Sequence, residues 1–506
     1  MVADSFRDYL QLLADVDALV TFEEPVSWDL EASAITMLAN WTDGEVPQFE
    51  SVGATDVDAA LVGDPYRGPR RRPWDHLAQS FGLSAGLSGA AYYDAIVDRL
   101  RSPCEPRHLE SERAPCKDVV HTGADVDLLS FPWPYVHRSD GGRYSNLHTI
   151  IAPDPETEWG QWSSHRMMFH DDALASLLFL AGEQVPNRYY YEYEPRGEPM
   201  PVAAVVGAEP AVQCSTEMWI PTGRSEATFA GGLKADAVDL VPCETNDLYV
   251  PATAELVIEG HVLPNERLDE GPFGDYFGYM NGPRRSMPVF AVDAITHRTE
   301  PRVPFCVEGT GVGYGQNSSS TLQTAAAGPD ATLGLQAAGF DVDAAAPWRF
   351  TSRTVWVIAT ERSYPGYLHE LANFVFTTWG MLHIDFFVFV DTTVDTHDPR
   401  AILTAIALNA DPDTDFHQFG VERMPKVPLN IYQTPDEKGS ADVGTSKAKT
   451  AKVYIDATSD RPAEDDTDTN AEALRARAQR ILVDAGVSPE PFDLLEQREQ
   501  QGGELP

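Results

Sequence analysis

Apolar positions along the chain fall into three regions of different periodicity. Between residues 4 and 19, Phe6, Tyr9, Leu10 and Leu13 recur at helical spacing, which predicts a helix. Helical patterns follow at 29–39 and 90–101, and Pro103, Pro106 and Pro115 then mark a boundary. The first region is therefore set at 1–115 and expected to be α/β. From 116 to 305 the apolar runs shorten and alternate with turns, as in Pro201–Val206, Leu248–Val250 and Glu255–Val262. Val, Ile and Thr are frequent there, which predicts a β-rich, barrel-like domain. A linker is expected at 306–350, with a glycine-rich stretch at 309–315 and a helix from about 318. Beyond it, an apolar strand at 353–360, a helix ending near Gly380 and a strand at Ile384–Asp391 form a βαβ unit with a parallel pair. A helix at Asp398–Asn409 completes a C-terminal α/β domain, set at 351–490. Within it, residues 456–468 read as an acidic solvated loop. Residues 470–485 read as an amphipathic helix, with Asn470 as cap, Leu474, Ile481 and Leu482 on one face and Gly486 as stop. Residues 491–506 read as a disordered tail. The fold class is mixed α/β.

Charge narrows the range of partners. The 506 residues carry 37 Lys and Arg against 78 Asp and Glu, a net charge of −41. Such a surface repels nucleic acid and anionic lipid, which excludes both as main partners. It also repels anionic small molecules, so a carboxylate site needs a cation of its own. The scarcity of lysine fits a salt-adapted proteome or a genome that favours Arg. No run of 18 apolar residues suggests a membrane span, and the acidic N-terminus does not read as a signal peptide, so a cytoplasmic location is expected. The five cysteines form no CxxC pair and read as free thiols. Arg67, Arg70, Arg71 and Arg72 cluster in a Gly- and Pro-broken segment, either to grip a phosphate or to pair with nearby acids.

The candidate chemistry centres on residues 268–281, Leu-Asp-Glu-Gly-Pro-Phe-Gly-Asp-Tyr-Phe-Gly-Tyr-Met-Asn. Gly and Pro this dense predict a shaped loop rather than a regular helix or central strand. It holds Glu270 and Asp275 near one another. Acids so placed have their pKa values pushed apart, and one can then donate a proton near neutrality. Phe273, Tyr276, Phe277, Tyr279 and Met280 offer a flat apolar wall for a ring, or serve as core.

The order Glu270-Gly271-Pro272-Phe273-Gly274-Asp275 resembles the signature of the UbiD-like, prenylated-flavin-dependent decarboxylases. Further matches are Asp125-Val126-Asp127-Leu128 with Pro132 and Pro134, Asn246 to Glu255, Tyr364-Pro365-Gly366, and Lys452 to Thr458. The resemblance covers about 450 residues, in the family's order. It implies a central split β-barrel that binds prenylated FMN and a C-terminal α/β domain that assembles a homodimer or higher homo-oligomer. It also implies a flavin prenyltransferase as the source of the cofactor. The implied activity is reversible, non-oxidative decarboxylation of an aromatic, heteroaromatic or α,β-unsaturated acid through a covalent flavin adduct. Protein side chains lack an electron sink, which is why a cofactor is needed.

By the same resemblance Arg166, in Gln161-Trp162-Ser163-Ser164-His165-Arg166, is the cation, paired with Glu270, and Asp275 delivers the proton. Gln161 to Arg166, with Gln184 and Glu226, are the implied cofactor contacts. The implied Mn2+ or Mg2+ ligands are Glu226, Gln161 and Gln184. Here the chain departs from the family, which has Asn at the position of Gln161 and His at that of Gln184. Amide oxygens in place of imidazole weaken a Mn2+ site. Trp162, Ser215 and Met218 match a K+ or Na+ site. Asp385 stands where the family has a Lys near the cofactor, and His165 and His170 are candidates for sharing the phosphate grip. Two readings outside catalysis are a flavin-binding subunit without activity and an acidic interaction scaffold.

Overall fold

The computed structural model describes residues 2–459 apart from 54, 111–113, 155–159, 181–183, 221–222, 276–278, 281–283, 310–316, 349–350, 352–353, 379–383 and 426–448. Beyond 459 it describes only 477, 480, 481 and 484–486. The chain forms two units, Met1–Thr458 and Ser459–Pro506. The expected helix at 470–485 and the tail at 491–506 lie almost wholly outside the described residues. No helix among the described residues is long and apolar enough to cross a membrane.

The N-terminal helix runs from Phe6 to Asp15. Ser5 caps it by accepting from the Asp8 N–H, and Phe6, Tyr9, Leu10 and Leu13 form its buried face. Helices Glu31–Ala39 and Gly89–Leu100 occupy the other predicted segments. A four-stranded sheet has the order Leu19–Phe22, Val46–Phe49, Ala60–Gly63 and Arg302–Phe305. Its last strand comes from some 240 residues downstream and pairs in parallel with Ala60–Gly63. The arginine cluster beside this sheet is not a free surface group. Arg67 is buried and donates to the Thr42 and Glu45 carbonyls, and Arg72 lies 3.9 Å from Asp75.

Nine strands make the central sheet. Eight follow the order Gly160–Ser163, His148–Pro153, Met200–Val206, Leu256–Glu270, Arg285–His297, Leu174–Leu177, Met167–Phe169 and Tyr144–Ser145, and Val119–Thr122 pairs with Arg285–His297. Every pair is antiparallel. Gly160–Ser163 and Met167–Phe169 are six places apart in this order, roughly 29 Å if the sheet were flat. Yet only Ser164, His165 and Arg166 join them, a reach of at most about 14 Å. The sheet must therefore curl until its ends approach, the barrel-like form expected from the sequence, and Arg166 sits on the segment that spans them. The strand Met200–Val206 is buried on both faces. Along Met200–Val206, Val202, Ala204 and Val206 join one apolar cluster, and Ala203 and Val205 join another.

The C-terminal sheet has the order Val342–Pro347, Val355–Thr360, Phe386–Val390, Lys449–Asp456 and Phe416–Pro425. Val355–Thr360 and Phe386–Val390 are parallel, with helix Tyr367–Thr378 between them in the chain, as the βαβ reading required. Trp356, Ile358, Phe387 and Phe389 face one cluster, while Val357, Ala359, Val388 and Val390 face another.

Candidate active site

One expectation needs correction. Leu268–Glu270 is not loop but the end of the long strand Leu256–Glu270, paired with Met287, Ser286 and Arg285. The loop begins only where Gly271 adopts a positive φ of 88° and Pro272 follows. Glu270 is thus fixed by a sheet ladder. Asp275 follows five residues later in the short strand Gly274–Asp275. Close backbone approach locks this turn. Gly141 donates its N–H to the Pro272 carbonyl at 2.7 Å, and a Cβ on Gly141 would fall 2.0 Å from the Gly271 oxygen.

Arg166 reaches this turn from the spanning segment. Its Nε and Nη2 donate to the two Glu270 carboxylate oxygens at 2.8 and 2.9 Å, a side-on fork. Its Nη1 donates to Asp275. Arg166 and Asp275 are buried, and Glu270 is 0% exposed. Burial opposes the Arg166 charge, but the two carboxylates outweigh it and hold the guanidinium above its usual range. The Phe273 ring lies 5.0 Å beneath the guanidinium, so it forms part of the site's wall. The side chains of Tyr276, Phe277, Tyr279 and Met280 lie outside the described residues.

Four further polar residues surround the trio, and no sequence pattern marked them. The Tyr144 hydroxyl donates to Glu270 Oε1 and accepts from the Gly271 N–H, both at 3.1 Å. Asp140 accepts from the N–H groups of His137 and Gly274, and burial pushes it up to about 6. Burial holds Glu308 well above the carboxylate range, and the charge of Asp275 adds to the effect. Arg285 stands directly opposite Glu270 in the ladder.

The implied cofactor segment lies at the start of the same run. Gln161 and Ser163 occupy alternate positions of strand Gly160–Ser163, so they share a face, and the buried Ser163 Oγ has no hydrogen-bond partner among the described residues. Trp162 faces the other way, and its N–H donates to Glu226 Oε2 at 3.2 Å. Glu226 opens helix Glu226–Lys234, capped by Ser225. Burial pushes its carboxyl up to about 8. Ser164 is half-buried, and His165 meets Phe179 edge-on with centroids 5.1 Å apart. His170 bonds Ser176 Oγ at 2.9 Å. Gln184 begins helix Gln184–Arg188, with its side chain outside the described residues. Ser215 ends helix Pro210–Ser215, and its carbonyl accepts from the Met218 N–H at 3.3 Å. Among the described residues no three His, Cys, Asp or Glu side chains gather as a metal site. A divalent ion at Glu226 would therefore depend on amide oxygens. Asp385 accepts from Lys452 Nζ at 2.8 Å, both buried, so its charge is spent inside the C-terminal domain.

Three successive segments match the 3-octaprenyl-4-hydroxybenzoate carboxy-lyase domains: N-terminal at 10–100, Rift-related at 107–311 and C-terminal at 324–457. The chain belongs to the UbiD family of carboxy-lyases. It is 29% identical over 451 residues to the pyrrole-2-carboxylic acid decarboxylase of Pseudomonas aeruginosa, covering 87% of this UbiD chain and 89% of that one. Identity to ferulic acid decarboxylase 1 of Saccharomyces cerevisiae is 30% over 306 residues, 59% of this chain and 61% of the yeast enzyme. Among solved structures, the closed form of vanillic acid decarboxylase from Sedimentibacter hydroxybenzoicus superposes with a TM-score of 0.84 at 23% identity, over 96% of this chain and 99% of that one. The UbiD-class enzyme HmfF from Pelotomaculum thermopropionicum, in complex with prFMN, gives 0.73 at 24% identity, over 93% and 100%. These superpositions place the UbiD chain in the same multi-domain fold.

Proposed function

We propose that this UbiD-family chain is a prenylated-FMN-dependent decarboxylase of aromatic, heteroaromatic or α,β-unsaturated carboxylic acids. The observation that carries the reading is the buried fork of Arg166 on Glu270 with Asp275 on its remaining amine. The relatives named for acting on pyrrole-2-carboxylic, ferulic and vanillic acids support the substrate class.

The residues suit a bound flavin phosphate with a cation. Ser163 Oγ has no hydrogen-bond partner among the described residues, and a positive ion would offset the burial that raises the Glu226 carboxyl, favouring its ionised form. Glu226 with the Gln161 and Gln184 amides would hold the ion. An all-oxygen set of this kind suits Mg2+ better than Mn2+. Trp162, Ser215 and Met218 would hold K+ or Na+, chiefly by backbone oxygens. Prenylated FMN, when bound, supplies the electron sink for the charge left as CO2 departs.

The side chains supply orientation and the proton. Glu270, held by its ladder, by Tyr144 and by two bonds from Arg166, fixes the guanidinium plane. Asp275 meets Arg166 through a single guanidinium nitrogen, against two for Glu270, and is the member of the trio to which the exchange of that contact for a proton is assigned. Glu308 and Asp140 stay neutral at higher pH than ordinary carboxyls and can resupply it. Asp275 then protonates the carbon that lost CO2, and the same groups run the reverse carboxylation. A cytoplasmic homo-oligomer that receives its flavin from a prenyltransferase completes the proposal.

The test is co-expression with a flavin prenyltransferase, followed by a visible spectrum, cofactor mass and CO2 release from a panel including pyrrole-2-carboxylate and cinnamates. A loaded protein that releases CO2 supports the reading. A loaded protein without turnover on any acid, yet activating a partner protein, points to a binding subunit instead.

A further inference from the structure

Arg285 is 6% exposed on strand Arg285–His297. It is the direct cross-strand partner of Glu270, so both side chains leave the same face of the sheet. Arg166, Glu270 and Asp275 are the charges that act on it. Its Nε and Nη2 are buried with no hydrogen-bond partner among the described residues. These two atoms form one edge of the guanidinium, the same edge with which Arg166 grips Glu270. Side-on, that edge matches the two oxygens of a carboxylate.

Charge bookkeeping inside the site says what the edge is for. Arg166 is committed to Glu270 and Asp275, so its charge is already balanced. A substrate carboxylate entering beside two carboxylates needs another cation, and the surface, at −41, lends none. Arg285 is a buried cation beside the trio with donors still to give. Burial, with repulsion from Arg166, pushes it down only to about 10, so it stays charged near neutrality. A buried charge with unspent donors is costly unless a ligand completes it.

We propose that Arg285 is the substrate-carboxylate receptor of this site, taking a carboxylate of the acid through its Nε–Nη2 edge while Arg166 holds Glu270 and Asp275. This rests on the decarboxylase reading above. The carboxylate is either the one that leaves or a second one on a diacid, and the same chemistry serves both.

The test compares wild type with R285Q. The full chain, expressed without the prenyltransferase so that no turnover intervenes, is titrated calorimetrically with pyrrole-2-carboxylate, pyrrole-2,5-dicarboxylate and pyrrole-2-carboxamide. The expected result is a loss of about tenfold or more in acid affinity, with carboxamide binding unchanged and thermal stability equal or higher. A loss on the monoacid assigns Arg285 to the departing carboxylate, and a loss on the diacid alone assigns it to the second. Unchanged affinity for both acids overturns the inference. Should R285Q not fold, R285K serves, because it keeps the charge and loses the fork. Tenfold weaker acid binding then supports the inference, and equal binding overturns it. The co-expressed enzyme separates the two failures. CO2 release by wild type, with acid still preferred to amide by R285Q, sinks this assignment alone. A wild type that neither binds an acid nor releases CO2 sinks both.

Discussion

At the scale of single residues, the two acids on Arg166 do different work. Glu270 receives two of its bonds and Asp275 one. Removing a partner from a buried ion pair costs about 3–5 kcal/mol when the remaining charge is left alone. E270Q undoes the fork but leaves Asp275 on Arg166, so it is expected to lower unfolding stability by less than that, about 2–3 kcal/mol, measured in urea. D275N leaves the fork intact and is expected to cost roughly 1 kcal/mol. Equal losses for the two would contradict the division of labour. Glu270 and Asp275 were legible in the sequence because one short segment carries both, with the turn residues between them. Arg166 was legible only through its resemblance to a family position. Tyr144, Asp140, Glu308 and Arg285 were not legible. They arrive from separate parts of the chain, and no spacing announces a contact made by folding.

At the scale of elements, helices and alternating strands were readable because their periodicity is local. Phe6, Tyr9, Leu10 and Leu13 mark one helix face, and Val355–Thr360 alternates between two cores. The end of Leu256–Glu270 was not readable, since the sheet partner that holds it in register lies at Arg285–Met287. Helix Gly328–Ala337 offers a test of how one element is anchored. Its Asp330 accepts from the Trp219 N–H at 2.8 Å, and burial pushes it up from 3.8 to about 6. A carboxyl raised on folding contributes stability that is complete below 3.8 and is lost as pH rises through about 6. D330N removes this titration. Relative to D330N, the wild type is expected to lose about 1–2 kcal/mol between about pH 5 and pH 8, measured by urea unfolding at each pH. Parallel pH dependence of the two proteins would contradict it.

At the scale of the molecule, the charge of −41 was legible from composition alone, and its consequence is self-repulsion. Raising KCl from about 0.1 to 1 M shortens the screening length from roughly 10 to 3 Å, and the melting temperature is expected to rise with it. A flat response would show that the surface charge is not a burden. The crossing of the chain back into the first sheet at Arg302–Phe305 was not legible, because parallel pairing over some 240 residues leaves no local trace. That single return closes the central strands between the first three strands of the N-terminal sheet and its fourth, and brings Glu308 near Asp275, with Gly309 donating its N–H to the Asp275 carbonyl at 2.9 Å. The measurement that bears most directly on the central claim is the turnover of D275N against wild type at equal prenylated-flavin content. The expected result is a fall in CO2 release of at least about a hundredfold with the flavin spectrum unchanged. Turnover of D275N within a few-fold of wild type would contradict the account.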